Sequence, residues 1–304
     1  MLDTAQFMAL KASGDLPSPR GPALKVIQLC QRDNVPLPEI ARVLQIDPMM
    51  VGRILKLANS SAFGRQRTAM ALTPDVLMSI GIQSIRQVVL AFSLVSENRK
   101  GQCSGFDYEM FWSHSAAAGV ATQLISAVTR VAPAADLFTV GLLADVGQLA
   151  LATLLPDRYG ELLARAGGQF STALTTVESA EFGFTHLDLS AAMMKDWGLP
   201  RLFTDAVLFH ETLELAGFDA GSRSEKVLKC VHLGVRLADI CFTPVSAHGE
   251  EFRRLLPLAL TLGIADDALA VLGDQTLREW VEWGALLEIS VHKVAPFSSL
   301  NAAA

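Results

Sequence analysis

Apolar residues recur at helical spacing along almost the whole chain, as at Leu24, Ile27 and Leu29 or at Val76, Leu77 and Ile80. Alternation with period two, bounded by turns, is scarce. The pattern predicts an all-α protein of roughly twelve to sixteen helices of ordinary length. Thr73-Pro74-Asp75 sets a hydroxyl, a proline and a carboxylate in the order that opens a helix. Gly81, Gly183 and the pair Gly198 and Pro200 mark helix ends, where a left-handed cap or a missing amide stops the ladder. Met110 to Thr129 is free of charged residues but contains Ser113, His114, Ser115, Thr122, Gln123, Ser126 and Thr129. That polarity predicts a buried helix, not a membrane span.

Residues 38–58 carry a sharper pattern: a short helix from Pro38 to Leu44, a turn over Gln45-Ile-Asp-Pro48, and a second helix from Met49 to Ala58. Ile40, Leu44, Val51, Ile54 and Leu55 would close the angle, leaving Arg53 and Lys56 outward near Arg65 and Arg67. A DNA-binding regulator is one reading. The expected one is a helical hairpin with solvated cations, because an operator reader usually has a stronger basic excess.

Charge divides the chain. Residues 1–100 hold 12 Lys+Arg against 7 Asp+Glu, and residues 101–304 hold 13 against 24, so the parts carry +5 and −11. The change of sign falls beside Lys100-Gly-Gln-Cys-Ser-Gly105, a natural junction. The expected organisation is an N-terminal helical subdomain over 1–100, a helical bundle over 101–245 and a helical extension over 246–304, with the parts docked on each other. The 51% hydrophobic content and net charge of −6 exclude extended disorder. Cys30, Cys103, Cys230 and Cys241 form no C-x-x-C pair and are expected as reduced core thiols. Met1-Leu-Asp3 carries no export signal, so a cytoplasmic location is expected.

The candidate chemistry rests on His114, Asp145, His186, His210 and Asp239. Each alone is more simply a hydrogen-bonded core residue or a cap, but imidazole and carboxylate together suit Mn, Fe or Zn, and a helical bundle can aim them at one point. Asn59-Ser60-Ser-Ala-Phe63-Gly-Arg65 is a candidate partner loop, against the plainer reading that Asn59 and Ser60 cap a helix while Phe63 pins the loop to the core. Trp280 and Trp283 share one face of a C-terminal helix. They are expected to pack inward. Left exposed, they would mark a homodimer or partner surface.

Over about residues 16–245 the chain resembles an HDOD domain, a module related to the HD phosphohydrolases. The residues that carry the likeness are Leu16-Pro-Ser-Pro, Ile46-Asp-Pro48, Leu55-Lys-Leu-Ala-Asn-Ser-Ser-Ala-Phe-Gly64, Ile80-Gly-Ile82, Phe111-Trp-Ser-His114, Gly141-Leu-Leu-Ala-Asp-Val-Gly147, Phe182-Gly183 with His186, and Trp197-Gly-Leu-Pro200. The resemblance implies an all-helical bacterial signalling module that has lost catalysis. His114 then stands at the superfamily's first histidine, Asp145 at the aspartate of its His-Asp doublet, and Asp239 at its final aspartate. Ala144 replaces the doublet's histidine, and Gln148 replaces a lysine. His186 and His210 fall near the extra histidines of the HD-GYP phosphodiesterases, and Gly217-Phe-Asp219 near their Gly-Tyr-Pro.

The expectation is therefore a non-enzymatic regulator that binds signalling proteins, without membrane or sequence-specific nucleic-acid binding. Its degenerate site is either empty or holds one Mn, Fe, Zn or Mg ion. The enzyme-class alternative is a residual metal-dependent hydrolase of cyclic dinucleotides or nucleotides.

Overall fold

The computed structural model describes residues 2–19, 21–30, 36–59 and 68–300. Sixteen α-helices and no strand occur among them. In chain order they are α1 (Thr4–Ala12), α2 (Gly21–Cys30), α3 (Leu37–Leu44), α4 (Pro48–Ala58), α5 (Pro74–Ile80), α6 (Ile82–Glu97), α7 (Tyr108–Thr129) and α8 (Ala134–Leu143). Then come α9 (Val146–Leu154), α10 (Pro156–Ala166), α11 (Leu174–Phe182), α12 (His186–Asp196), α13 (Arg201–Phe209), α14 (Arg223–Cys241), α15 (His248–Thr261) and α16 (Asp266–Leu287). They fall into two compact units: Ser18–Asn98 with Ala285–Ile289, and Met1–Pro17 with Arg99–Gly284 and Ser290–Ala304.

The smaller unit contains α2 to α6. Its starts follow the sequence: Thr73 accepts a hydrogen bond from the Val76 amide at the head of α5, and Asp47 caps α4 through the amides of Met49 and Met50. Gly81 ends α5 with φ 87°, a conformation an L side chain resists. Ile40, Leu44 and Ile54 are fully buried between the helices of the expected hairpin.

Arg53 corrects the sequence reading, because it points inward and is only 5% exposed. Its guanidinium lies 4.8 Å from the Phe92 ring centre, donates to the Leu286 carbonyl and pairs with Glu288 at 2.5 Å. Lys56 donates to the Ala285 carbonyl at 2.6 Å. A long aliphatic stem lets arginine bury most of its length while the fork finds partners. Both cations of α4 thus contact the segment Ala285–Ile289, Arg53 from a buried position and Lys56 from an exposed one, as its outward placement leads one to expect. Asn59 holds both backbone groups of Ala69, at 3.0 and 2.7 Å, which is a structural use of that side chain. Ser60, Phe63, Arg65 and Arg67 lie outside the described residues.

The larger unit is built on α7, a 22-residue helix buried along most of its length. It packs most extensively against α8 and α14. Small residues bring the backbones together: a Cβ on Gly141 would strike the Ala118 carbonyl, and one on Gly234 would strike Thr122. Trp280 is 1% exposed and donates its indole N–H to the Ser113 carbonyl at 2.8 Å, while Trp283 stacks on Phe138 at 4.3 Å. The tryptophan pair packs inward. Helix α16 starts at Asp266 with two carboxylates in its first turn, where the helix dipole favours them.

Ala134–Leu154 is long and apolar enough to cross a membrane, but 89% of that window is buried inside the protein. It is also two helices, interrupted at Ala144 and Asp145. All four cysteines are free and buried.

Candidate functional site

Each of the five predicted residues comes from a different part of the larger unit. His114 lies on α7, Asp145 in the break between α8 and α9, His186 at the first position of α12, His210 at the C-cap of α13, and Asp239 near the end of α14. Local sequence fixes several of these places. Gly183 ends α11 in the left-handed conformation, and Thr185 and Asp188 cap α12 reciprocally, so His186 enters at a set angle. Gly147 brings α9 close to α12: its N–H donates to Ser190 Oγ at 2.8 Å, and a Cβ there would collide with the His186 carbonyl.

The cluster has two halves. In one, His114 Nε2 meets Asp239 Oδ1 at 2.7 Å, and Asp239 Oδ2 accepts from Arg236 at 2.8 Å. Arg236 also reaches Glu211 at 3.6 Å. Burial would raise the Asp239 carboxyl, but His114 and Arg236 hold it below the ordinary value. This half already contains its cation.

In the other half, Asp145 Oδ1 lies 3.5 Å from His186 Nε2 and 3.6 Å from His210 Nε2. All three atoms are buried without a hydrogen-bond partner. Both imidazoles spend their second nitrogen elsewhere. His186 Nδ1 donates to Glu178 at 2.7 Å, and His210 Nδ1 donates to the Val207 carbonyl at 2.7 Å. When neutral, each ring therefore turns a lone pair toward Asp145. Burial opposes charge here. Even so, Glu178 and Asp145 carry the His186 imidazole well above its ordinary pKa, and Asp145 raises that of His210. The same two rings hold the Asp145 carboxyl well below its ordinary value. The point where the three atoms meet calls for positive charge, from protons or from an ion.

Among the described residues, no group of three or more His, Cys, Asp or Glu side chains is assembled as a formed metal site. The spacing is nevertheless that of adjacent ligands, since two donors about 2.1 Å from one tetrahedral ion stand about 3.4 Å apart. Asp145, His186 and His210 thus fit one divalent ion by donor type and by orphaned atoms. His114 stands 4.0 Å from Asp145 Oδ2 and, with Asp239, is already committed to hydrogen bonds. Ala144 adds only a buried methyl group.

Access is narrow. The cleft beside Asp145, Gln148, Arg236 and Asp239 has a free volume of about 20 Å³, about the room of one water. Phe170 and Phe242 cover His114, with ring centres at 4.8 and 5.4 Å. Gly217 and Asp219 are exposed in irregular backbone and do not line this cleft.

Sequence reasoning missed Glu178, Tyr159, Arg236 and the two phenylalanines. Glu178 is fully buried and also accepts from the Tyr159 hydroxyl at 2.9 Å and the His186 amide at 2.8 Å. Arg236 stands three residues before Asp239 on one helix face, a spacing that can be read from sequence.

The HDOD domain sequence model matches residues 16–213. The chain belongs to the HDOD domain family. That sequence model ends before Asp239. The MmoQ response regulator of Methylococcus capsulatus str. Bath is 32% identical, with a TM-score of 0.52 over 85% of this chain and 97% of that one. An HDOD domain protein of Geobacter sulfurreducens is 18% identical, with a TM-score of 0.68 over 94% of this chain and 98% of that one, and shares the fold. A protein of Treponema pallidum (strain Nichols), named only as uncharacterized, is 22% identical over 201 residues, 66% of this chain. The chain spans about two fifths of that relative's length, 38%.

Proposed function

We propose that this HDOD protein is a non-catalytic regulatory module of bacterial signal transduction, cytoplasmic, whose output is binding to other signalling proteins. The closed cleft supports this most directly. A phosphoester substrate needs a pocket of several hundred Å³, whereas the space beside Asp145 is about 20 Å³. Arg236 already neutralises Asp239, Ala144 offers no donor, and Gln148 brings no cation to a phosphoryl group. The response-regulator relative agrees with a regulatory role, and four buried free thiols agree with a reducing compartment.

A second reading concerns metal. The orphaned atoms of Asp145, His186 and His210 favour capture of one Mn, Fe, Zn or Mg ion as a structural element of this module. Such an ion would supply fixed positive charge at the convergence point. Glu178 would orient His186, Val207 would orient His210, and Phe170 and Phe242 would keep bulk water out.

Affinity capture from the native host tests the binding output. Recovery of discrete signalling proteins, lost when the surface around Asn59 is altered but not when Asp145 is replaced by Asn, is expected. Capture of nothing beyond a mock bait would contradict it.

A further inference from the structure

We infer that the larger unit carries a second ligand site, apart from the histidine cluster, for a small phosphorylated molecule of about nucleotide size. The site is a cleft of about 740 Å³ walled by Ser126, Thr129, Arg130, Ala134, Arg223 and Lys226. That volume lies in the range of small-molecule pockets. It is far roomier than the cleft beside Asp145.

The charges in it are arranged for an anion. Three cations line the cleft, and no Asp or Glu does. Among the described residues, no carboxylate stands within ion-pair distance of Arg130, Arg223 or Lys226. Glu225, the acidic residue between the last two, spends its carboxylate on Lys229 at 2.7 Å and on the Gly221 amide. Arg223 and Lys226 occupy the first turn of α14, where the helix dipole opposes positive charge. Helix α8 also begins in the wall, at Ala134, with Pro133 giving no side-chain cap. In a part of the chain with net charge −11, three exposed cations line one cleft beside the first turns of α8 and α14, an arrangement that a phosphoryl group complements.

Backbone geometry agrees. Arg130 caps α7 in the left-handed conformation, φ 55° and ψ 30°, a position that favours glycine. An arginine there gives up local comfort to place a guanidinium at the cleft. Arg223 is held in place by its Nε–H, which donates to the Val131 carbonyl at 3.1 Å, leaving the rest of the fork for a ligand.

The test is calorimetric titration of the full chain with pyrophosphate and with ATP, in chelator, so that Asp145, His186 and His210 contribute no metal-dependent binding. Saturable, salt-sensitive binding of at least one probe at or below millimolar concentration is expected. Arg130→Gly and Lys226→Ala should each weaken it roughly tenfold or more. Arg130→Gly should meanwhile unfold at the same or a higher temperature without ligand, because glycine suits the left-handed cap. This separates a lost contact from a damaged fold. ATP binding without pyrophosphate binding would assign the site to nucleotides, and binding of both would assign it to the phosphoryl group. No binding of either probe, or binding that both variants leave unchanged, would overturn the inference.

Discussion

His186 Nδ1–H donates a hydrogen bond to the Glu178 carboxylate across 2.7 Å, and that carboxylate has no exposed surface. The same carboxylate holds the Tyr159 hydroxyl, so one buried anion ties α10, α11 and α12 together. Glu178→Ala strands a buried imidazole N–H, a backbone amide and a phenol, and should cost about 3–5 kcal/mol of stability. Tyr159→Phe removes one donor and should cost about 1–3 kcal/mol. Urea denaturation of the two variants checks the order.

Metal capture should follow the orphaned atoms. Equilibrium dialysis with Zn or Mn is expected to give one ion per chain, and denaturant unfolding a gain in stability of about 2.7 kcal/mol at a hundred times the dissociation constant. His186→Ala and His210→Ala should abolish it. His114→Ala should leave the stoichiometry unchanged, because His114 is engaged by Asp239.

Gly147 is a steric test of the same cluster. Gly147→Ala should drive α9 and α12 apart, destabilise the fold by about 1–3 kcal/mol and weaken metal uptake by moving His186 away from Asp145. Thermal unfolding and the dialysis assay read the two effects separately.

The thiols should be inert. Burial pushes Cys30 up to about 11 and Cys230 up to about 12, and it raises Cys103 as well. Thiolate, the reactive form, is then scarce at pH 8. Native protein should titrate no thiol with a disulfide reagent at that pH, and denatured protein all four.

Much of the fold was legible because helix signals are local. Thr73, Gly81, Gly183 and the charge-free stretch before Thr129 act through their own backbone, and the structure uses each as its chemistry suggests. Arg53 was misread because its partners, Phe92 and Leu286, are distant in sequence. The same limit hid the site's division. Spacing names His114, Asp145, His186, His210 and Asp239, but only folding brings Arg236 onto Asp239 and the two Nε2 atoms onto Asp145. Glu178 carried no motif, and its role follows entirely from burial beside His186.

Turnover tests the absence of catalysis most directly. Purified full-length chain supplied in turn with Mn, Mg, Fe and Zn is offered cyclic di-GMP, cyclic AMP and nucleoside triphosphates. The site's closed cleft and its tethered Arg236 predict no hydrolysis above the rate of an Asp145→Ala variant under the same conditions. Metal-dependent hydrolysis that Asp145→Ala abolishes would contradict the account.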